Sequence, residues 1–320
     1  MRRTMFVEDR AERNRVDREN MIQECKNSIV EDNFHEFLHR NCEGTEQLRK
    51  IIFSDLDGTL LCDDKSISIG NRQAIEAATK AGHSFVIATG RPFESARMVS
   101  DSLGLNGEGC YIVSYNGGHV YDCYHKKVLF SRQINMQTVH ELFALADEAG
   151  LYVHTYQNGE ILTKAQTKEL EWYAKRTNLK PSPRPDVLDY LTREPNKAIV
   201  INIDDHERLE RFRIEHEAWS KGRCRMLFSC PQYLEVVPEG ISKQTGISFL
   251  AEYIGVSVTD TIAVGDETND IEMIKVAGVG VAVSNANPAA KEAADYVTER
   301  NNNEDAIAEV IQRFVFGTEG

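Results

Sequence analysis

Short apolar runs recur along this chain and alternate with amphipathic stretches. Residues 50–54, 85–88, 111–114, 261–264 and 279–283 read as strands, apolar nearly throughout, as strands buried on both faces are. Residues 71–81 and 93–103 carry helical periodicity between the first three. Strand–helix–strand units of this length imply right-handed crossovers and a parallel sheet. Between 118 and 238 the pattern changes. Residues 118–130 read as a hairpin and 136–149 as a helix. Strands at 151–156 and 160–163 flank Gln157-Asn158-Gly159, whose Asn-Gly pair is a hairpin turn signal. Three prolines in 180–185 predict a loop that breaks any regular element. A strand at 198–203, a helix at 206–219 and strands near 226–229 and 233–237 follow. After Pro238-Glu239-Gly240 the first pattern resumes. Ser242 is placed to cap a helix running to about Tyr253, and 304–314 forms a last helix. The expected fold class is α/β. A Rossmann-like parallel-sheet core (49–117 and 239–320) is interrupted by an inserted α+β cap (118–238).

Residues 1–48 stand apart as a charged and helical N-terminal extension. The first 20 positions hold six arginines and five acidic residues, with no apolar stretch of the kind a secretory signal needs. From 21 to 38 an apolar stripe (Ile22, Cys25, Ile29, Val30, Phe34, Phe37 and Leu38) predicts a helix. Such a helix packs on the chain's own body or docks on a second subunit; the stripe fits both.

Composition narrows the function. The balance of 37 Lys and Arg against 50 Asp and Glu gives a net charge of −13, which argues against a general nucleic-acid binder. No run of about 18 apolar residues suggests a membrane span. Seven cysteines, an odd number without a C-x-x-C pair, suit neither a disulfide framework nor a zinc site. They read as packing residues in a reducing cytoplasm.

Chemistry collects at strand ends, where open parallel sheets bind ligands. Asp55-Leu56-Asp57-Gly58-Thr59 follows the first strand and sets two carboxylates two apart beside a glycine turn. One could bind a metal and attack, the other move protons. Thr89-Gly90-Arg91 ends the second strand with a hydroxyl and loop amides suited to a phosphate. Ser114-Tyr115-Asn116-Gly117-Gly118 ends the third, and Lys243 opens the helix after the glycine linker. Gly265-Asp266-Glu267-Thr268-Asn269-Asp270 adds hard oxygen ligands of the type Mg²⁺ takes. Each segment alone also reads as a solvated turn. Jointly they describe a pocket for a divalent cation and an oxyanion, with a carboxylate left for attack.

In order and spacing, DLDGTLL (55–61), ATGR (88–91), SYNGG (114–118), GISKQTGI (240–247) and GDETND (265–270) resemble the haloacid dehalogenase superfamily, and within it the Cof-type phosphatases with a large α/β cap of the C2B type. The likeness spans about 50–316, with no departure at a core motif position. It implies a Mg²⁺-dependent phosphatase acting on small phosphorylated metabolites. Asp55 would form an aspartyl-phosphate, and Asp57 would serve as general acid and then base. The acid form of Asp57 would be favoured by the nearness of Asp55. Thr89, Gly90, Lys243 and Asn269 would hold the phosphoryl group. Asp55, the Asp57 carbonyl, Asp266 and Asp270 would hold Mg²⁺, and Arg91 and Asn116 would line the entrance. Sugar phosphates rank first as substrates by that resemblance, ahead of flavin mononucleotide and pyridoxal phosphate. A phosphomutase or phosphotransferase, or a silent phosphate-binding regulator, would share the motifs. In the cap, His154, Tyr156, Lys197 and Arg184 are candidates for facing the core. Their bland readings are strand packing for the first two and solvated charge for the others.

Overall fold

The computed structural model describes residues 49–317. The extension expected at 1–48 and its helix lie outside the described residues. The strands, in chain order, are β1 (Ile51–Ser54), β2 (Ser84–Ala88), β3 (Cys110–Ser114), β4 (His119–Asp122), β5 (Lys127–Ser131), β6 (Tyr152–Gln157), β7 (Glu160–Thr163), β8 (Lys180–Pro183), β9 (Ala198–Ile201), β10 (Cys224–Cys230), β11 (Tyr233–Pro238), β12 (Thr261–Gly265), β13 (Val279–Ala282) and β14 (Tyr296–Val297).

Eight of them form the core sheet in the order β14-β13-β12-β1-β2-β3-β4-β5. The six from β14 to β3 run parallel. Alternation along each strand divides the core in two. Ile52, Phe85, Ile87, Ile112 and Val264 point to one face, against Ile75 and Ala78 of the helix Ile69–Lys80 and Ile307, Val310 and Ile311 of the helix Ala306–Phe314. Ile51, Phe53, Val86, Val113 and Ala263 point to the other, against Ile247 and Leu250 of the helix Lys243–Ile254 and Met273 and Val276 of the helix Ile271–Val276. Burying both faces is what makes the strand runs apolar at almost every position.

The other six strands make the cap sheet, in the order β10-β11-β9-β6-β7-β8, antiparallel except for β7 with β8. One face packs on the helices Met136–Glu148 and His206–Glu215 through Leu142, Phe143, Leu209 and Phe212. The other carries Tyr156, Ile161, Ile199 and Tyr233, with Leu170 and Tyr173 of the helix Lys168–Thr177, and meets Tyr115 of the core.

Three expectations are corrected. The hairpin at 118–130 was assigned to the cap, yet β4 pairs antiparallel with β3 and the pair extends the core sheet. Its turn chemistry carries no information about which sheet it joins. The proline-rich 180–185 segment was expected to break structure, but Lys180–Pro183 is a strand at the sheet's edge. An edge strand needs only one row of amide donors, so proline is tolerated there. The helix expected over 206–219 is two, Glu217–Ser220 being separate, with His216 at the break.

Candidate active site

Strand register assembles the site. Ser54 pairs with Val264 on one side and Ile87 on the other, and Ala88 pairs with Val113. The residues that follow these strands therefore leave the sheet at one edge. Asp55 N–H still donates to the Val264 carbonyl at 3.0 Å, and Thr89 N–H to that of Val113 at 2.8 Å.

Carboxylate oxygens of Asp55, Asp266 and Asp270 all lie within 4.8 Å of one another. Lys243 reaches into this group from the first turn of its helix, whose N-terminus is fixed by reciprocal Ser242 and Thr245 bonds. Its ammonium donates to Asp55 Oδ1 and Asp270 Oδ1, both at 2.5 Å, and its side chain has no exposed surface. The second Asp270 oxygen accepts the backbone N–H groups of Asp266 and Glu267 at 3.0 Å each. Asp266 is steadied by the Thr59 hydroxyl at 2.8 Å and lies against Gly58. A Cβ on Gly58 (φ +82°) would stand 2.4 Å from the Asp266 carboxylate.

One lysine does not balance three carboxylates. Burial pushes the Asp55 carboxyl up to about 7, with Lys243 opposing and Asp270 adding to the shift. Burial, Asp55 and Asp270 push Asp266 up to about 9. For Lys243, burial works against the charge, but Asp270 and Asp55 outweigh it and hold the ammonium above its ordinary range. A cluster of hard, buried, under-compensated oxygens is the donor set a small divalent cation fits.

Asp57 behaves differently from expectation. Burial opposes its ionisation, but Arg91 and Lys65 overcome that and hold the carboxyl well below the usual range. Arg91 donates to both its oxygens, at 2.6 and 2.7 Å, and Lys65 to one at 2.8 Å. The expectation of an acid form, drawn from the nearness of Asp55, is corrected for this conformation: the repulsion raises Asp55 and not Asp57.

A cavity of about 320 Å³ opens beside the cluster, lined on the core side by Asp55, Asp57, Thr89, Gly90, Arg91 and Asn269. The cap side adds Arg176, Ser229, Cys230 and Tyr233, none of which the sequence reading singled out. Asn116, expected at the entrance, is buried; its side-chain carbonyl accepts Asn269 Nδ2 at 3.1 Å.

The family model of haloacid dehalogenase-like hydrolases matches residues 52–311. This chain belongs to the haloacid dehalogenase-like hydrolases. The 5-amino-6-(5-phospho-D-ribitylamino)uracil phosphatase YcsE of Bacillus subtilis (strain 168) is 30% identical over 276 residues, which cover 83% of this chain and 96% of that one. A haloacid dehalogenase-like hydrolase from Bacteroides thetaiotaomicron has a crystal structure that matches with a TM-score of 0.77 at 34% identity, over 83% of this chain and 99% of the other. The subclass IIB sugar phosphatase BT4131 shares the fold, with a TM-score of 0.71 at 23% identity over 83% and 99% of the two chains. Within its family the hydrolase is a phosphatase of the Cof type.

The cap candidates of this hydrolase separate. His154 Nε2 and the Tyr156 hydroxyl are 2.8 Å apart, and the Tyr156 and Tyr173 hydroxyls 2.5 Å. Burial drives His154 well below its ordinary range, so the ring is neutral. Both are packing residues of the cap, and Arg184 stacks on Tyr190, 3.4 Å from the ring centre. Lys197, whose bland reading was a solvated charge, is 1% exposed and ion-paired with Glu235 at 3.0 Å. Glu235 was missed. Its signal is a lone carboxylate inside the apolar strand Tyr-Leu-Glu-Val-Val, matched by a lone lysine before Ala-Ile-Val-Ile. Within the described residues Cys62, Cys110, Cys123, Cys224 and Cys230 are free, and no helix is long and apolar enough to cross a membrane.

Proposed function

We propose that this phosphatase hydrolyses phosphate monoesters of small metabolites, sugar phosphates foremost, with Mg²⁺ and through an aspartyl-phosphate on Asp55. The observation that carries the reading is the group of Asp55, Asp266, Asp270 and Lys243, which reaches a cavity shared by core and cap through Asp55.

Asp55, Asp266 and Asp270, with the Asp57 carbonyl, are the groups that would hold Mg²⁺. Bound there, the ion neutralises charge on the carboxylates and on a phosphoryl group. Thr89 lines the cavity and Lys243 is bound to Asp55, which lines it too; their hydroxyl and ammonium offset the negative charge of the phosphoryl oxygens. Asp55 Oδ1 is tied to Lys243, which fixes the carboxylate's orientation for attack on phosphorus. The bond from phosphorus to the ester oxygen breaks as the bond to the Asp55 oxygen forms. Asp57 gives a proton to the departing alcohol and then takes one from the water that attacks the acyl-phosphate. The second step suits the Asp57 carboxylate as it stands. The first needs a proton on it, so substrate must loosen its contacts with Arg91 and Lys65. The cap encloses the reaction, and its Arg176, Ser229, Cys230 and Tyr233 offer hydrogen-bonding groups to a hydroxyl-rich leaving group.

The test is phosphate release from a panel of phosphorylated metabolites, with and without Mg²⁺, beside Asp55→Asn. Mg²⁺-dependent release that the substitution abolishes supports the reading. Label passing from substrate to a second sugar, instead of to free phosphate, would make the enzyme a mutase or transferase.

A further inference from the structure

Cap and core are joined at the site by a buried polar chain. Lys197 stands one residue before β9 and Glu235 within β11, at 1% and 3% exposure. Lys197 Nζ donates to Glu235 Oε1 at 3.0 Å and to the Gly90 carbonyl at 2.6 Å. The Ser229 hydroxyl donates to the same Glu235 oxygen at 2.9 Å. The other Glu235 oxygen accepts Asn116 Nδ2, and Asn116 passes the chain on to Asn269. Two cap residues thus grip the loop of Thr89 and Arg91 and the turn that carries Asn116.

That turn needs gripping. Tyr115 and Asn116 are both left-handed, with φ +51° and +54°. Left-handed backbone is unfavourable for a tyrosine, and the conformation persists only where its surroundings over-determine it. The core supplies two restraints, Tyr115 N–H to Arg91 and Asn116 N–H to Thr89, both at 3.1 Å. The Asn116 side chain is held from the core by Asn269 and from the cap by Glu235. The packing is close: a Cβ on Gly90 would lie 3.0 Å from Asn116 Oδ1 and 3.3 Å from Glu235 Oε2. A buried ion pair adds little net stability over apolar residues of the same shape, so its use here is geometric.

We propose that Lys197 and Glu235 are cap-borne positioning residues that set Gly90, Asn116 and Asn269 for the phosphoryl group, so that turnover requires a seated cap even when the cap does not touch the leaving group. The proposal rests on the phosphatase reading above.

Steady-state kinetics of the full chain with Mg²⁺ and p-nitrophenyl phosphate test it. Glu235→Gln keeps shape and loses charge. Its kcat is expected to fall about ten-fold or more while KM moves less than about three-fold. The double variant Lys197→Met/Glu235→Leu removes both charges but leaves the Ser229 hydroxyl, Asn116 Nδ2 and the Gly90 carbonyl without these partners; it should melt lower than the wild type and be as slow as Glu235→Gln. Lys197→Arg keeps the charge and both donations and should retain most of kcat. Wild-type kcat in a folded Glu235→Gln protein, or in the double variant, overturns the proposal; if the double variant does not fold, Glu235→Gln alone decides. A wild type that turns over no phosphate monoester overturns the phosphatase reading and this proposal with it.

Discussion

Arg91 holds both carboxylate oxygens of Asp57, through Nε at 2.6 Å and Nη2 at 2.7 Å. A bidentate pair of this kind is strong and keeps the carboxylate ionised. Asp57 is thereby ready as a base and withheld as an acid. A phosphate dianion entering the cavity competes for the same guanidinium, which couples substrate arrival to release of Asp57.

Replacing Arg91 by Met should raise the Asp57 carboxyl toward the ordinary range. The alkaline limb of kcat/KM for an alkyl phosphate should then move to higher pH, because the protonated form persists further. With p-nitrophenyl phosphate, whose leaving group needs no proton, that shift should vanish. pH–rate profiles for the two substrates check this, and equal shifts would reject Asp57 as the acid.

Metal-free protein should lose stability as pH rises above neutrality. Asp55 and Asp266, pushed up to about 7 and about 9 chiefly by burial, keep protons in the folded state that the unfolded chain releases near pH 4. Through these two groups the folded state binds more protons, which costs stability as pH rises. Below about pH 6.5 the buried histidines His83, His119 and His154, which fold as neutral rings, oppose this, so the fall in melting temperature is expected between about pH 7 and about pH 9. Mg²⁺ should reverse the trend, raising the melting temperature more at about pH 8 than at about pH 5. Thermal melts in chelator and in Mg²⁺ test both signs.

Lys243→Met should be among the most destabilising single changes. It leaves Asp55 and Asp270 buried without their cation, a loss of about 3–5 kcal/mol when one partner of a buried pair is removed. Urea unfolding at neutral pH measures it, and added Mg²⁺ should recover part of the loss.

Gly58→Ala should weaken the metal site without replacing a ligand. The new methyl would meet Asp266 Oδ2 at 2.4 Å, and the φ of +82° adds strain of about 1–2 kcal/mol. The Mg²⁺ concentration for half-maximal activity should rise. A titration that superimposes on the wild type would show that Asp266 does not hold the ion.

Much of this was legible in the residues. Ile51-Ile52-Phe53 and Thr261-Ile262-Ala263-Val264 are apolar on both faces, and only a covered parallel sheet demands that. The carboxylates, Thr89 and Lys243 were legible because each stands at a strand end or a capped helix start. What spacing does not carry is which distant charges meet. Lys65 lies 8 residues from Asp57 and Arg91 34 residues away, so the ionised state of Asp57 follows from folding alone. Lys197 and Glu235 are 38 residues apart and meet because β9 and β11 are neighbours, with Glu235 paired to Ile199. The hairpin β4–β5 was placed in the wrong sheet because its pattern suits either. The prolines of β8 misled because an edge strand forgives what an inner strand does not.

The central claim is that Asp55 is the nucleophile. Rapid quench of the Mg²⁺-loaded enzyme with a radiolabelled phosphate monoester, followed by peptide mapping, tests it directly. Label should appear on the peptide that carries Asp55, with a burst of alcohol ahead of free phosphate. Asp55→Asn should show neither label nor turnover. Label on a different residue, or full turnover by Asp55→Asn, would contradict the account.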